Sequence, residues 1–190
     1  MAPPLFVAFT AGAEGLWRID RVAPVIGPNL PPAARLAVTE GRAAGAPGDA
    51  AWHLNGVTSH PRYTSRDELG ALRARQEGLA RPAATCAALI PVRKTEAWWD
   101  LAQDERRAIL EERSRHIALG LEYLPQVARR LHHCRELSGE PFDFLTWFEY
   151  APADAAAFED LVARLRQTEE WRYVDREVDV RLSRAEGAVA

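Results

Sequence analysis

The alternation of apolar and polar residues is irregular in the first part of the chain. Glycine and proline separate its short alternating runs, which predict strands over residues 5–10, 16–22, 36–38 and 52–59. The proline-rich stretch 24–32 is expected to have no regular structure. A helix is predicted over 65–79, because Ser65 and Glu68 have the spacing of a capping box.

From residue 85 onwards the pattern is more regular. The predicted elements are a strand over 85–92, a mostly helical stretch over 95–122 with a break near Gln103-Asp104, strands over 126–136 and 142–150, a helix over 152–169 and a strand over 171–182. This β-α-β-β-α-β order is that of a ferredoxin-like unit, whose two helices cover one face of an antiparallel sheet. We therefore predict an α+β protein with two parts, residues 1–80 and 81–190.

Composition narrows the class of protein. A chain of 190 residues with 47% hydrophobic and 27% charged residues is typical of a globular protein with a sizeable core. The net charge of -3, with acidic and basic residues interspersed, argues against nucleic acid and against an anionic membrane surface as partners. The chain shows neither a membrane-spanning run nor a signal peptide, and its two cysteines are far apart, so a reduced, cytoplasmic protein is expected.

His116 is the first candidate for chemistry. It follows Ile109 by seven residues, which returns it to nearly the same face of a helix, and Ile117 and Gly120 extend that apolar stripe. The imidazole is therefore expected to face the interior, beside a residue without a side chain. Two interpretations remain open, a structural histidine bonded to a carbonyl group or an axial metal ligand.

A pair of adjacent arginines is the second candidate. On a strand, either Arg129 or Arg130 must point inward, and Arg129 does so if Val127 and Leu131 pack on aromatic residues of the following strand. A buried guanidinium needs an anion. The anion is either a carboxylate of a neighbouring element or a bound ligand.

Lys94 and a pair of glutamates complete the residues of interest. Lys94 is the only lysine among 24 basic residues, and with Trp98-Trp99 it could hold propionate groups at one end of a helix. Glu169-Glu170 is predicted to end the last helix and to face the same layer as His116.

Several motifs, in order and spacing, resemble those of the chlorite dismutases, and most closely the short, dimeric lineage with a truncated N-terminal half. They are Lys94-Thr95-Glu96-Ala97-Trp98-Trp99, Arg115-His116-Ile117-Ala118, Tyr123-Leu124-Pro125, Ala128-Arg129-Arg130-Leu131 and Pro141-Phe142-Asp143-Phe144-Leu145-Thr146-Trp147-Phe148-Glu149. The likeness extends over residues 22–182. It implies a dimeric α/β barrel, with a truncated ferredoxin-like half at 1–80 and a ferredoxin-like haem-binding domain at 81–190.

The resemblance implies a haem b group with His116 as its proximal iron ligand and Arg129 as the catalytic distal arginine. Glu169 is the expected acceptor of the imidazole's other proton, with Glu170 as the alternative one position away. The other implied site residues are Lys94 on the proximal side, Thr146, Phe148 and Leu131 in the distal pocket, and Asn55, Tyr63 and Trp98 near the propionates or the haem edge.

The implied reaction converts chlorite to chloride and dioxygen, through a ferryl species and hypochlorite, in a homodimer without nucleic-acid or membrane partners. Two alternatives remain. One is a coproheme decarboxylase-like enzyme of haem biosynthesis, against which Arg129 counts because that branch lacks a distal arginine. The other is a non-catalytic haem-binding ferredoxin-like protein, in which His116 is a core residue and Arg129 a salt-bridge partner.

Overall fold

The strands of the computed structural model form one closed antiparallel barrel. The structure describes residues 4–41, 45–58, 63–75 and 78–185. The eight strands in these ranges are β1 (Phe6–Gly12), β2 (Trp17–Ile26), β3 (Arg35–Glu40), β4 (Trp52–Val57), β5 (Cys86–Lys94), β6 (Ala128–His133), β7 (Phe144–Tyr150) and β8 (Val174–Ser183). Their order around the barrel is β1-β3-β2-β8-β5-β7-β6-β4.

Two hydrophobic clusters lie on the two faces of this sheet. Successive residues of a strand point to opposite faces, so Leu89 and Trp147 fill the barrel interior with Phe9, whereas Ile90 and Phe148 face outwards. The outer cluster is completed by one helix, whose buried residues Phe158, Leu161, Val162 and Leu165 recur at helical spacing. Because the interior is filled, a ligand site has to lie between the outer face of the barrel and its helices.

The helices cover the outside of the second half of the barrel. They are α1 (Arg66–Arg75), α2 (Glu96–Asp100), α3 (Gln103–Arg107), a π-helical segment (Ala108–Arg113), α4 (His116–Glu122) and α5 (Ala155–Arg166). Two 3-10 turns, Pro152–Asp154 and Glu169–Tyr173, flank α5. Within the ranges given above, no helix combines the length and the apolar character needed to cross a membrane.

From β5 to β8, strands and helices alternate in the predicted order, but the long helical stretch is interrupted twice. Leu101 and Ala102 are extended, and Arg115 lies in the left-handed region with φ 51°. The predicted break near Gln103-Asp104 is therefore found, and a second, unpredicted break directly precedes His116. As a result, His116 is the first residue of α4 and does not continue the helical stripe that begins at Ile109.

Three other element boundaries differ from the prediction. The stretch 24–32 was expected to be irregular, which is wrong at its start, because β2 continues through Pro24 to Ile26 and pairs with β8 across a register shift that tolerates proline. The last helix ends at Arg166, so Glu169 and Glu170 lie on a separate turn. The helix predicted over 65–79 is α1, which ends at Arg75; residues 76–77, like residue 59 of the fourth predicted strand, lie outside the described residues.

The predicted capping box at α1 is confirmed and has a second partner. Glu68 accepts a hydrogen bond from the Ser65 amide at 2.7 Å, and Ser65 Oγ accepts one from the Glu68 amide at 3.3 Å. The same carboxylate takes two bonds from the Arg107 guanidinium, at 2.6 and 2.8 Å. These bonds from Arg107 lower the pKa of Glu68 to about 2 from its usual 4.5.

This pKa shift predicts an acid-sensitive contribution to stability. A carboxyl group with a lowered folded pKa stabilises the protein above about pH 4.5, and the stabilisation is lost as the pH falls towards about 2. We expect Glu68→Gln to lower the urea midpoint at about pH 7 and to reduce the difference between midpoints at about pH 7 and about pH 3. Asp67→Asn, on the exposed side of the same helix, should leave that difference unchanged. If both substitutions reduce the difference between the two midpoints equally, the acid-sensitive stabilisation does not come from Glu68.

Candidate functional site

A cavity of about 360 Å³ lies between the outer face of β5, β6 and β7 and the helices α1, α4 and α5. Its size is within the usual range for ligand pockets. Apolar side chains form much of its wall, among them Ile90, Val92, Val162 and Leu165. Five residues singled out from the sequence also line it, namely His116, Arg129, Leu131, Thr146 and Phe148. The structure therefore brings the predicted histidine and arginine to one cavity.

His116 ends a buried chain of charged groups. Its Nδ1 lies 2.6 Å from Oε2 of Glu170, and Oε1 of the same carboxylate accepts a hydrogen bond from Lys94 Nζ at 2.8 Å. Lys94 and Glu170 are each only 4% exposed. Burial opposes ionisation of Glu170, but the charges and hydrogen bonds of His116 and Lys94 outweigh it and hold the pKa of Glu170 well below its usual range. Because Nδ1 is engaged by Glu170, Nε2 is the imidazole nitrogen that remains for a ligand.

The prediction that Glu169 contacts the imidazole is wrong. Glu169 accepts a hydrogen bond from Arg113 at 3.0 Å, and its side chain is 34% exposed, against 5% for Glu170. Adjacent residues of the 3-10 turn point in different directions, so only one of the two glutamates can face α4. Because the sequence placed both residues at the end of a continuous helix, it could not decide between them.

Lys94 lies between two indole rings. Its ammonium group is 4.7 Å from the ring centre of Trp98 and 5.5 Å from that of Trp171. The Lys94 amide also donates to the buried Asp143 carboxylate at 2.7 Å, which fixes the end of β5. A cation held between aromatic faces and opposite a carboxylate is well compensated for its burial. Lys94 therefore orients the Glu170 carboxylate towards His116.

Two residues that the sequence did not single out support His116. The Glu111 carboxylate accepts hydrogen bonds from the amides of Ile117 at 2.7 Å and Ala118 at 3.2 Å, at the start of α4. Ser114 Oγ accepts a hydrogen bond from the Glu170 amide at 2.9 Å. Capping residues are normally sought at the first positions of a helix, so Glu111, which lies five residues before α4, gives no recognisable signal.

Arg129 reaches across the cavity. It lies on β6 opposite Phe148 of β7, and its guanidinium packs against Gly120 of α4, where an added Cβ would be only 1.9 Å from Nη1. Although Arg129 and His116 lie on different elements around the cavity, the guanidinium contacts the helix of His116. Burial lowers the pKa of Arg129 to about 10, so the group remains charged at neutral pH.

The residues next to Arg129 on β6 and β7 lie in different environments. The Arg130 guanidinium, on the opposite face of β6, pairs with Glu40 at 2.7 Å. Thr146 lies beside Arg129 on β7, opposite Leu131. Val127 is buried in the outer cluster with Phe148, whereas Leu131 lines the edge of the cavity with 45% of its surface exposed.

The three predicted haem-edge residues do not line the cavity. Asn55 Nδ2 donates to Glu140 at 3.0 Å, and the Tyr63 hydroxyl accepts a hydrogen bond from Arg106 at 3.0 Å. Trp98 is 1% exposed, and its Nε1 has no hydrogen-bond partner within the described residues. A buried indole donor of this kind normally has an acceptor, so Trp98 is the one of the three that could take a ligand oxygen.

Comparisons with known proteins agree with this architecture. The chlorite dismutase family model matches residues 36–185. A curated relative, the chlorite dismutase of Ideonella dechloratans, is 34% identical over 122 residues, which cover 63% of this chain and only 40% of that protein. The chain therefore matches less than half the length of that relative.

Solved structures extend the likeness over nearly the whole chain. A structure of dimeric chlorite dismutases from Nitrobacter winogradskyi shares 57% sequence identity and superposes with a TM-score of 0.87, covering 94% of this chain and 99% of that one. A mutant chlorite dismutase from Candidatus Nitrospira defluvii, at 19% identity and a TM-score of 0.64 over 95% and 91% of the two chains, shares the fold. Because the family model matches most of its residues, this chain belongs to the chlorite dismutase family.

Proposed function

We propose that this protein binds haem b through His116 and uses it to convert chlorite to chloride and dioxygen. Family membership supports the reaction class. The observation that carries the proposal is the buried chain from Lys94 through Glu170 to His116, which ends at a cavity that also contains Arg129. A structural histidine has no need of a buried carboxylate and ammonium behind it, whereas a metal-binding imidazole commonly has such a partner.

The cavity fits a flat, largely apolar group that carries acidic substituents. Its wall is mainly aliphatic and aromatic, and Arg129 and Arg130 bring guanidinium groups to it that could pair with propionates. Gly120 presents no side chain to the space beside His116. The Arg129 guanidinium lies against Gly120, so a macrocycle bound beside His116 would require it to move.

On the proximal side, each residue has a defined task. His116 Nε2 would bind the iron, and Glu170 would hold the proton on Nδ1, which increases the electron donation of the imidazole. Lys94 keeps Glu170 ionised and fixes its orientation. Bound haem supplies a redox-active iron at which the oxygen atoms of chlorite can be transferred and joined.

On the distal side, Arg129 would attract the substrate anion and any anionic product that has not yet left. A fixed positive charge within apolar walls stabilises oxyanions far more than the same charge in water. The guanidinium cannot act as a proton donor at neutral pH, so its role is electrostatic. Phe148 and Thr146 complete the space next to it, and the apolar lining limits the access of water.

We also propose that both halves of the chain derive from ferredoxin-like units, the first of them truncated, and that the protein is a homodimer. The order of elements from β5 to β8 supports the first statement for residues 81–190. The second rests on the similarity to the dimeric protein from Nitrobacter winogradskyi. Light scattering coupled to gel filtration should give about twice the chain mass of 21.1 kDa; a mass of one chain would overturn the dimer.

Haem titration and oxygen measurement test the function in two steps. Addition of haem to the purified protein should produce a Soret band that saturates at one haem per chain and is lost in His116→Ala. Chlorite added to the loaded protein should then release dioxygen at an oxygen electrode. Haem binding without dioxygen release would favour the coproheme decarboxylase-like or non-catalytic alternatives, against which the presence of Arg129 argues. Absence of a Soret band would overturn the haem site.

A further inference from the structure

We propose that Ser114 and Glu111 are positioning residues that set the hydrogen bond between Glu170 and His116. The proposal rests on the proposed function, because the strength of this bond matters for haem only if His116 binds the iron. Neither residue lines the cavity, so both would act through the proximal pair.

Ser114 ties the turn of Glu170 to the segment that precedes His116. It is 4% exposed, and its Oγ accepts the Glu170 amide proton at 2.9 Å. The side chain of the same glutamate reaches His116 Nδ1 at 2.6 Å. Two hydrogen bonds, one from the backbone and one from the side chain of Glu170, therefore join the same two short segments. Without the first bond, the second would depend on a 3-10 turn whose position is less well fixed.

Glu111 fixes the position of His116, the second member of the hydrogen-bonded pair Glu170–His116. His116 is the first residue of α4, and the preceding Arg115 has a left-handed backbone with φ 51°, which is unfavourable for a residue other than glycine. The Glu111 carboxylate binds the amides of Ile117 and Ala118, which satisfies two of the free donors at the start of α4. Glu111 therefore stabilises the break in the helix that directs the imidazole towards Glu170.

Ser114 and Glu111 would act on the hydrogen bond from His116 Nδ1 to Glu170, which affects two measurable properties of bound haem. A short, well-aligned bond from Nδ1 to a carboxylate gives the imidazole partial imidazolate character, which strengthens the iron–histidine bond and favours ferric iron. If the turn of Glu170 moves away, the bond lengthens and both effects weaken. Loss of positioning would thus alter the spectrum and the potential of the haem, and not only the stability of the fold.

The test compares haem-loaded Ser114→Ala, Ser114→Thr and Thr168→Val with the wild type. Resonance Raman spectra of the ferrous proteins give the iron–histidine stretching frequency, and spectroelectrochemistry gives the midpoint potential. We expect Ser114→Ala to shift the band to lower wavenumber and the potential to more positive values. Ser114→Thr retains the hydroxyl and should stay closer to the wild type. Thr168→Val removes a hydroxyl bond to the Leu165 carbonyl, at 2.7 Å, and should not move either readout.

The outcomes separate this proposal from the haem site itself. A wild-type protein without haem or without an iron–histidine band would overturn the proposed function. A normal wild-type band that is unchanged in Ser114→Ala, or equally shifted in Thr168→Val, would overturn the positioning role alone. If Ser114→Ala does not fold, Glu111→Gln is the second variant. It should shift band and potential in the same directions, and unchanged values would overturn the proposal.

Discussion

Replacement of Arg129 by alanine should leave haem binding intact and lower chlorite turnover by roughly 10²–10³-fold, the usual effect of removing one fixed oxyanion-stabilising group. The guanidinium lies in the cavity against Gly120 on the helix of His116, and with a pKa of about 10 it remains charged at neutral pH. Under the proposed function, its loss removes the charge that would hold chlorite and its anionic products in the cavity. We therefore also expect the haem of Arg129→Ala to bleach after fewer turnovers. Initial rates at an oxygen electrode and the decay of the Soret band measure the two effects.

Arg130→Ala is the matched control for this experiment. The adjacent guanidinium lies on the other face of β6 and pairs with Glu40 at 2.7 Å. Its removal should change turnover far less than the removal of Arg129, although Arg130 contributes to the cavity edge. If the two alanine variants lose turnover equally, or if Arg129→Ala keeps wild-type kinetics, the distal role of Arg129 is wrong.

Exchange of Glu170 for glutamine should destabilise the protein by roughly 3–5 kcal/mol, since it leaves the buried ammonium of Lys94 without its counter-charge. The same change deprives His116 of its carboxylate partner and should weaken haem binding by roughly 10–100-fold. Urea unfolding of the haem-free protein measures the first effect. Transfer of haem to an excess of apomyoglobin measures the second.

Glu169→Gln provides a control one residue away. Glu169 forms a partly exposed ion pair with Arg113 at 3.0 Å, and such pairs contribute at most about 1 kcal/mol. Stability and haem transfer should therefore remain close to the wild type. Larger effects of Glu169→Gln than of Glu170→Gln would show that the turn has a different orientation in solution.

Periodicity predicted the features that depend on local sequence. Alternation with a period of two located the strands, and helical spacing of apolar residues located α5. Strand parity also separated Arg129 from Arg130, because the two faces of β6 meet different environments. The Ser65 to Glu68 capping box was recognisable for the same reason, since both of its hydrogen bonds are local.

Features that depend on distant partners could not be predicted in this way. Pro24 remains in a strand because β8 pairs with it, and the choice between Glu169 and Glu170 depends on a contact with α4 more than fifty residues earlier in the chain. The break before His116 is stabilised by Glu111 through a side-chain cap without a sequence signature. Asn55 donates a hydrogen bond to Glu140, a contact over 85 residues that only the folded barrel creates.

Closure of the barrel has a consequence for fragments of this protein. β8 pairs with β2 and β6 pairs with β4, so strands from the first part of the chain complete both sides of the sheet that forms the cavity floor. A fragment of residues 81–190 would retain His116, Arg129, Glu170 and Lys94 but would expose two unpaired strand edges. Such edges are templates for aggregation. A minimal version of the site therefore has to include the strands that contribute none of its side chains.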